Sequence, residues 1–427
     1  MRTDHISLKE KQKTSGQHCC SLHGWLTCLL RVGGHFSVII HSDMNCSNLV
    51  FKGDSDDEMF ERIFCTNMTE EDIIMGNGIK RLDECIDAVM EYNSPKDILI
   101  LDSCMSQIIG DDVKGLITRK RKDIDAELYY KDTSGLVFED PKNIIDEVGH
   151  FLLEMIDVEE RDRDRGAEIL INIIGFEYYQ DNERVKDFFD ELGKMGIKVN
   201  TVIGPKSGIE EWARSLDADL NVSFDKRLYN KVMSIFEEKH GLETIEVPFP
   251  VGLGPTIRFI NKICEKMDTD HNDKIKVLQD DIENARSYLE KNSDALREKK
   301  VIYNIASNMD FTVSNSAREG LLMLDFFKEL GCDVEILIQG NPEDEHKRDV
   351  EETLSSIGIE EKFTLFGHCG DGYKFLDGNK DTIVYGATLL MAQAVEMGNR
   401  FMAYEEILPG ISAMKKNIDK VIGKHEH

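Results

Sequence analysis

Three cysteines stand in contexts that could do chemistry. Cys20 opens Cys20-Ser-Leu-His-Gly24, Cys46 closes His41-Ser-Asp-Met-Asn-Cys46, and Cys104 closes Leu101-Asp-Ser-Cys104. A thiolate is a nucleophile, a redox group and a soft metal ligand. Cys46 and Cys104 each come a few residues after an apolar run, Phe36-Ser-Val-Ile-Ile40 and Asp97-Ile-Leu-Ile-Leu101. Neighbouring parallel strands that end in cysteines place both sulfurs on the carboxyl rim of a sheet, where open α/β sheets hold ligands. A third thiol, from the segment before the first strand, can reach the same rim. Three soft ligands converging there point to an iron–sulfur site.

Three readings of these thiols compete. A [4Fe–4S] cluster would be one ligand short with three thiolates, so a partner chain or a non-cysteine group would complete it. Structural zinc prefers closely spaced pairs such as C-x₂-C. Adjacent Cys19 and Cys20 are too tight for that, and the other gaps are too long. The third reading is that the cysteines are small buried hydrophobes, the common fate of a thiol in a reducing compartment. That is the expectation for Cys85, Cys264, Cys332 and Cys28, while Cys65 and Cys369 are left open.

The elements that must position these residues alternate between strand and helix. After a polar, basic arm over 1–15, a cysteine-bearing domain spans 16–160. It has strands at 36–40, 61–66, 98–101 and 126–130. A helix over 78–91 places Ile79, Leu82, Ile86 and Val89 on one face. Helices over 111–122 and 141–157 follow, and the charge run Glu159-Glu-Arg-Asp-Arg-Asp-Arg165 reads as a solvated linker. The second domain, 161–268, opens with a continuous apolar strand of the kind buried in a parallel sheet. A charged helix over 269–300 bridges to a third domain, 301–427. Phe188-Phe-Asp-Glu-Leu-Gly193 is echoed by Phe326-Phe-Lys-Glu-Leu-Gly331, each ending a helix and leading into a strand, as one βαβ unit used twice would. The fold class is therefore α/β: three Rossmann-like, doubly wound domains with mainly parallel sheets around a central crevice.

Composition bounds the partners. The chain has 427 residues and a net charge of −29, which argues against nucleic acid or an anionic membrane as a partner. No apolar run approaches the ~20 residues that cross a bilayer. The apolar part of residues 1–30 is broken by His23, arrives late and lacks a small-residue cleavage site, so a secretory signal is not expected. Ten cysteines at irregular spacing fit a cytoplasmic protein with free or metal-bound thiols.

Taken in order, these motifs are joined by Thr66-Asn-Met-Thr-Glu-Glu-Asp-Ile-Ile-Met-Gly76 and by the Gly110-Asp-Asp112 that follows Cys104. Asp132-Thr-Ser-Gly135, Phe249-Pro-Val-Gly252 and Tyr385-Gly386 stand where comparable turns fall. The set resembles the nitrogenase component 1 family, which includes nitrogenase subunits, dark-operative protochlorophyllide reductase, nickel-sirohydrochlorin reductive cyclase and cofactor-assembly scaffolds. The resemblance covers most of the chain. It implies that Cys20, Cys46 and Cys104 are cluster ligands at the interface with a homologous sister subunit, in an α2β2-type assembly. Cys19 is the alternative to Cys20, which is preferred because it begins the Cys-x-Leu-His-Gly pattern. It also implies docking of an ATP-hydrolysing iron protein, and this chain has no G-x₄-GK[ST] loop of its own. His23 and His41, beside the ligands, are expected to hydrogen-bond around the cluster.

Departures from the family pattern narrow the reading. Asp225 stands where the family's cofactor-anchoring cysteine falls, and Glu405 stands near the place of its cofactor histidine. The iron–molybdenum cofactor is not expected in this chain. Asn45 also replaces the glycine before the second cysteine. The expectation is an oxidoreductase subunit that relays electrons from the iron protein, through an iron–sulfur cluster, to a substrate in the crevice. Its rivals are a non-enzymatic scaffold for cluster assembly and a small-molecule binding protein with buried cysteines.

Overall fold

The computed structural model describes residues 20–29, 36–48, 61–134, 144–156, 168–176, 185–204, 207–224, 229–305, 323–339, 351, 354–355, 362–366, 369–386 and 391–424. Cys19, the basic arm, the charge run at 159–165 and Asp225 lie outside them. The structure divides into two compact units, Met1–Ile156 with Pro205–Ala213, and Asp157–Gly204 with Arg214–His427.

The first unit runs α1 (Ser21–Leu29), β1 (Phe36–His41), α2 (Met44–Asn48), β2 (Ile63–Cys65), α3 (Glu70–Met75), α4 (Gly78–Asn93), β3 (Asp97–Asp102), α5 (Cys104–Ile109), α6 (Val113–Lys120), β4 (Glu127–Asp132) and α7 (Ile144–Met155). Its sheet is parallel throughout, in the order β2-β1-β3-β4. β1 and β3 are direct neighbours, with Ile40 opposite Leu101 and His41 opposite Asp102. Ile98 to Leu101 are fully buried, as a strand covered on both faces must be. Leu82, Ile86 and Val89 of α4, at the expected helical spacing, share one apolar cluster with Ile98 and Ile100. Burying each such side chain contributes about 1.5–3 kcal/mol.

The second unit begins with β5 (Ile169–Ile174), α8 (Lys186–Lys194) and β6 (Ile197–Ile203). Then come α9 (Ile209–Ser215, whose first residues group with the first unit), β7 (Leu220–Ser223), α10 (Asn230–His240), β8 (Thr244–Glu246) and α11 (Leu253–Lys266). The parallel order is β6-β5-β7-β8. The single bridging helix expected over 269–300 is three helices: α12 (His271–Lys276), α13 (Gln279–Lys291) and α14 (Ser293–Arg297). Asp270 caps the first through the Asn272 amide, and the buried Leu278 pins the break after it. Asn292 interrupts the last two by turning its amide back to the Tyr288 carbonyl. Local polar bonds and burial thus override a continuously helical composition.

A five-stranded parallel sheet completes the chain, in the order β11-β10-β9-β12-β13. Its elements are β9 (Lys300–Ile305), α15 (Leu324–Leu330), β10 (Asp333–Gln339), β11 (Phe363–Phe366), α16 (Cys369–Asp377), β12 (Ile383–Gly386), α17 (Met391–Glu396), β13 (Arg400–Ala403) and α18 (Met414–Ile422). One apolar cluster joins the two sheets of this unit, containing Ile171 and Phe188 from one side and Tyr303, Phe326 and Met414 from the other.

Candidate functional site

Cys46 and Cys104 stand at the carboxyl side of the first sheet, and Cys20 immediately precedes a helix of the same unit. Cys104 is the first residue of α5, directly after β3. Cys46 lies in α2, directly after β1, where the Asp43 carboxylate accepts from the amides of Asn45 (2.7 Å) and Cys46 (3.2 Å). Asp43 is thus a turn-forming cap for the cysteine. Cys20 leads into α1, its carbonyl accepting from the Gly24 amide at 2.9 Å. A Cβ at Gly24 would lie 2.4 Å from the Ile144 side chain, so glycine allows α1 to press against α7. Trp25 packs edge-on to Phe151 across the same contact.

Cys20 and Cys104 are exposed and Cys46 is half-buried. The Cys104 thiol is pushed up from its ordinary pKa, first by burial and then by the negative fields of Cys20 and Cys46. The Cys104 thiol is therefore within electrostatic reach of both Cys20 and Cys46. The Cys104 thiol also donates to the Ser134 carbonyl. Among the described residues no group of three or more His, Cys, Asp or Glu side chains is arranged to hold a single metal ion. A cluster spreads its thiolates over separate irons, so electrostatic proximity of three thiols at one rim fits its donor chemistry. The Ser42 hydroxyl, fully buried between β1 and Asp43, has no hydrogen-bond partner, an oxygen donor still unspent at this rim.

A buried polar network underlies the rim. Asp102, fully buried at the end of β3, accepts from the Ser103 amide (3.1 Å), the Ser106 hydroxyl, the Gln107 amide group (2.6 Å) and the Tyr130 hydroxyl (3.0 Å). Burial and the Asp102 charge both push the Tyr130 phenol upward. Ser103 and Ser106 cap α5 reciprocally, which fixes the turn carrying Cys104. Thr133 ties β4 to the same place through the Asp102 carbonyl (2.6 Å).

His41 is fully buried, with Nδ1 3.3 Å from the Thr66 hydroxyl and Nε2 3.0 Å from the Asp111 carboxylate. Both ring nitrogens are thus engaged, one with Thr66 and one with Asp111. Burial lowers its pKa, with the Asp102 and Asp111 charges opposing. The side chain of His23, on α1, lies outside the described residues. Asp112 caps α6 through the Gly115 amide (2.9 Å), as expected of a helix start. Asp111, however, is the partner of His41, and it comes so close to α4 that a Cβ at Gly78 would lie 1.9 Å from its carboxylate.

Cys65, left open by the sequence, ends β2 at this rim. Its sulfur is 3.5 Å from the carbonyls of Ser42 and Asp43, and it accepts from the Asn67 amide at 3.4 Å. Nothing in its spacing signals this; only the pairing of β2 with β1 does. Cys85 and Cys332 are half-buried thiols pushed up to about 12 by burial, and Cys264 is fully buried, as expected of packing residues.

Parallel α/β sheets with cysteines at one carboxyl rim define a class, and a family model agrees. The model for nitrogenase component 1 type oxidoreductases matches residues 20–367, so the chain belongs to that family. Among its relatives, the nitrogenase iron-molybdenum cofactor biosynthesis protein NifE of Methanococcus maripaludis is 24% identical over 80% of this chain and 70% of its own. The nitrogenase molybdenum-iron protein alpha chain of Clostridium pasteurianum is 24% identical over 54% of this chain and 44% of its own. One subunit of the light-independent protochlorophyllide reductase of Chlorobium luteolum is 22% identical over 46% of this chain and 36% of its own. The solved structure of nitrogenase Cp1 at pH 5 shares the fold, with a TM-score of 0.65 at 17% identity over 95% of this chain and 87% of that one. Among the described residues, no helix is long and apolar enough to cross a membrane.

Proposed function

We propose that this chain is one subunit of a nitrogenase-like reductase. Cys20, Cys46 and Cys104 hold an iron–sulfur cluster there, jointly with a homologous sister subunit. When bound, such a cluster supplies one-electron transfer between an ATP-hydrolysing iron protein and the substrate. The observation that carries this reading is that Cys46 and Cys104 directly follow the paired strands β1 and β3, with Cys20 within electrostatic reach of Cys104. This chain's own part is to fix the thiols. Asp43 and the Ser103–Ser106 box set the turns, and Asp102 anchors the base of α5.

The sister subunit is supported by the surface around the cysteines. Met44, Ile74, Met75 and Ile108 are exposed on α2, α3 and α5, the helices that follow β1, β2 and β3. Exposed apolar side chains on the helices that follow the rim strands suit a permanent interface.

A second reading, a scaffold on which a metal cluster is assembled before transfer, is favoured by the NifE of Methanococcus maripaludis, whose match extends over more of this chain than that of the Clostridium pasteurianum alpha chain. Anaerobic co-purification with the sister subunit tests the shared part of both readings. Bound iron and an EPR signal on reduction are expected, and a colourless, iron-free complex overturns both. Turnover with an iron protein and ATP selects the reductase. A cluster that moves to an acceptor protein without turnover selects the scaffold.

A further inference from the structure

The repeated hexapeptide in the second unit is part of a longer, reciprocal device that the proposed cluster does not involve. α8 carries Asp187-Phe-Phe-Asp-Glu-Leu-Gly193 and α15 carries Asp325-Phe-Phe-Lys-Glu-Leu-Gly331. Glu191 accepts from the amides of Ile411 (3.1 Å) and Ser412 (3.4 Å) and from the Ser412 hydroxyl (3.2 Å), in the turn that leaves the five-stranded sheet. Glu329 accepts from the amides of Leu253 (2.8 Å) and Gly254 (2.7 Å), in the turn that leaves the four-stranded sheet. Each lobe's glutamate therefore grips the other lobe's outgoing backbone.

The registers correspond residue by residue. The gripped amides follow Gly252 in one turn and Gly410 in the other, with φ of +99° and +94°. A Cβ at Gly252 would meet Glu329 at 2.5 Å and Phe326 at 3.4 Å; one at Gly410 would meet Glu191 at 2.6 Å and Phe188 at 3.2 Å. Both positions thus exclude a side chain on two grounds, backbone conformation and contact. The acidic residue four before each glutamate pairs with the cation six after each glycine: Asp325 with Arg258 (3.1 Å) and Asp187 with Lys416 (3.9 Å). The two turns also touch, the Gly410 amide donating to the Pro250 carbonyl at 2.9 Å.

We propose that these paired glutamates form a lock with local two-fold symmetry that makes the two lobes of the second unit open and close as one body. Coupling passes through the Pro250–Gly410 contact. Releasing one turn removes the backbone against which the other is held. Two unconnected caps would not behave this way.

Hydrogen–deuterium exchange on the full chain tests this, with Glu191→Ala, Glu329→Ala and the double variant. Direct loss of an acceptor accelerates exchange at 411–412 in the first and at 253–254 in the second under any model. The lock requires in addition that Glu191→Ala accelerate exchange at 253–254 about tenfold, that Glu329→Ala do the same at 411–412, and that the double variant add little to either. Acceleration confined to the residues that lost their acceptor, with additive effects in the double variant, overturns the lock. If an alanine variant does not fold, Glu191→Gln and Glu329→Gln, which keep one acceptor oxygen, must show the same reciprocal pattern at smaller amplitude. Purely local effects in the glutamine variants overturn the proposal equally.

Discussion

The rim of the first sheet and the junction between the second unit's two sheets both bury carboxylates, but they use them differently. At the rim, Asp102 is held by Gln107 and Tyr130 and Asp111 by His41, which also meets Thr66, and the thiols above are left exposed or half-buried. At the junction, Glu191 sits in an apolar cluster and bonds almost wholly to backbone amides. A carboxylate held by side chains orients neighbouring groups that do chemistry. One held by main chain fastens a turn. Surroundings, not residue type, separate a site from a fastening.

The largest expected effect separates the regions outright. Cys104→Ser, Cys46→Ser and Cys20→Ser should each lower iron in the anaerobic complex by roughly tenfold or more, since even supporting residues of metal sites cost 10–100-fold. Cys264→Ala should leave iron unchanged by the same assay. Equal loss from Cys264→Ala would erase the distinction. Next, Phe259→Ala in the junction core should cost about 3–5 kcal/mol in urea unfolding. Phe259 is fully buried and 5.8 Å from the Phe188 ring. Its effect belongs to the second unit, and iron bound per folded complex should hold.

Two pH experiments sharpen the contrast. Burial lowers the His41 pKa below its ordinary 6.5, so its contribution to stability is present above the unfolded pKa and lost as pH falls through the folded one. The urea midpoint of the first unit should drop between pH 7 and pH 5, and His41→Asn should flatten that drop. Glu191 has the opposite sign. Burial raises its carboxyl pKa against the pull of the Ile411 and Ser412 hydrogen bonds, with the Asp281 charge adding a small push upward. Its contribution is then full below the unfolded pKa and declines as pH climbs through the folded one. The stability of Glu191→Gln relative to the parent should therefore rise from pH 4 toward pH 7, the smallest change of the four.

Legibility in the sequence followed the range of the interaction. Continuous apolar runs marked β1, β3 and β5, and two adjacent strands ending near cysteines sufficed to place Cys46 and Cys104 on one rim. β13 went unmarked because Arg400-Phe-Met-Ala403 opens on a charge and is only partly buried. The short α5 was hidden inside the cysteine motif, since its capping serines look like any turn. Asp111 read as a helix start, and nothing local indicates a histidine 70 residues earlier as its partner. The repeated hexapeptide was visible, yet its partners were not. Glu191 meets Ile411 across 220 residues, a distance no periodicity encodes.

The last helix also bears on how the protein is made. Met414, Ile418 and Val421 of α18 belong to the same apolar cluster as Ile169 and Ile171 of β5. Tyr288 and Asn292 tether its end through Asp419 and Lys424. A nascent chain emerging from the ribosome therefore cannot close this apolar cluster until α18 has been made. Termination between β13 and α18 would release a polypeptide with an open seam, a natural target for chaperones and proteases.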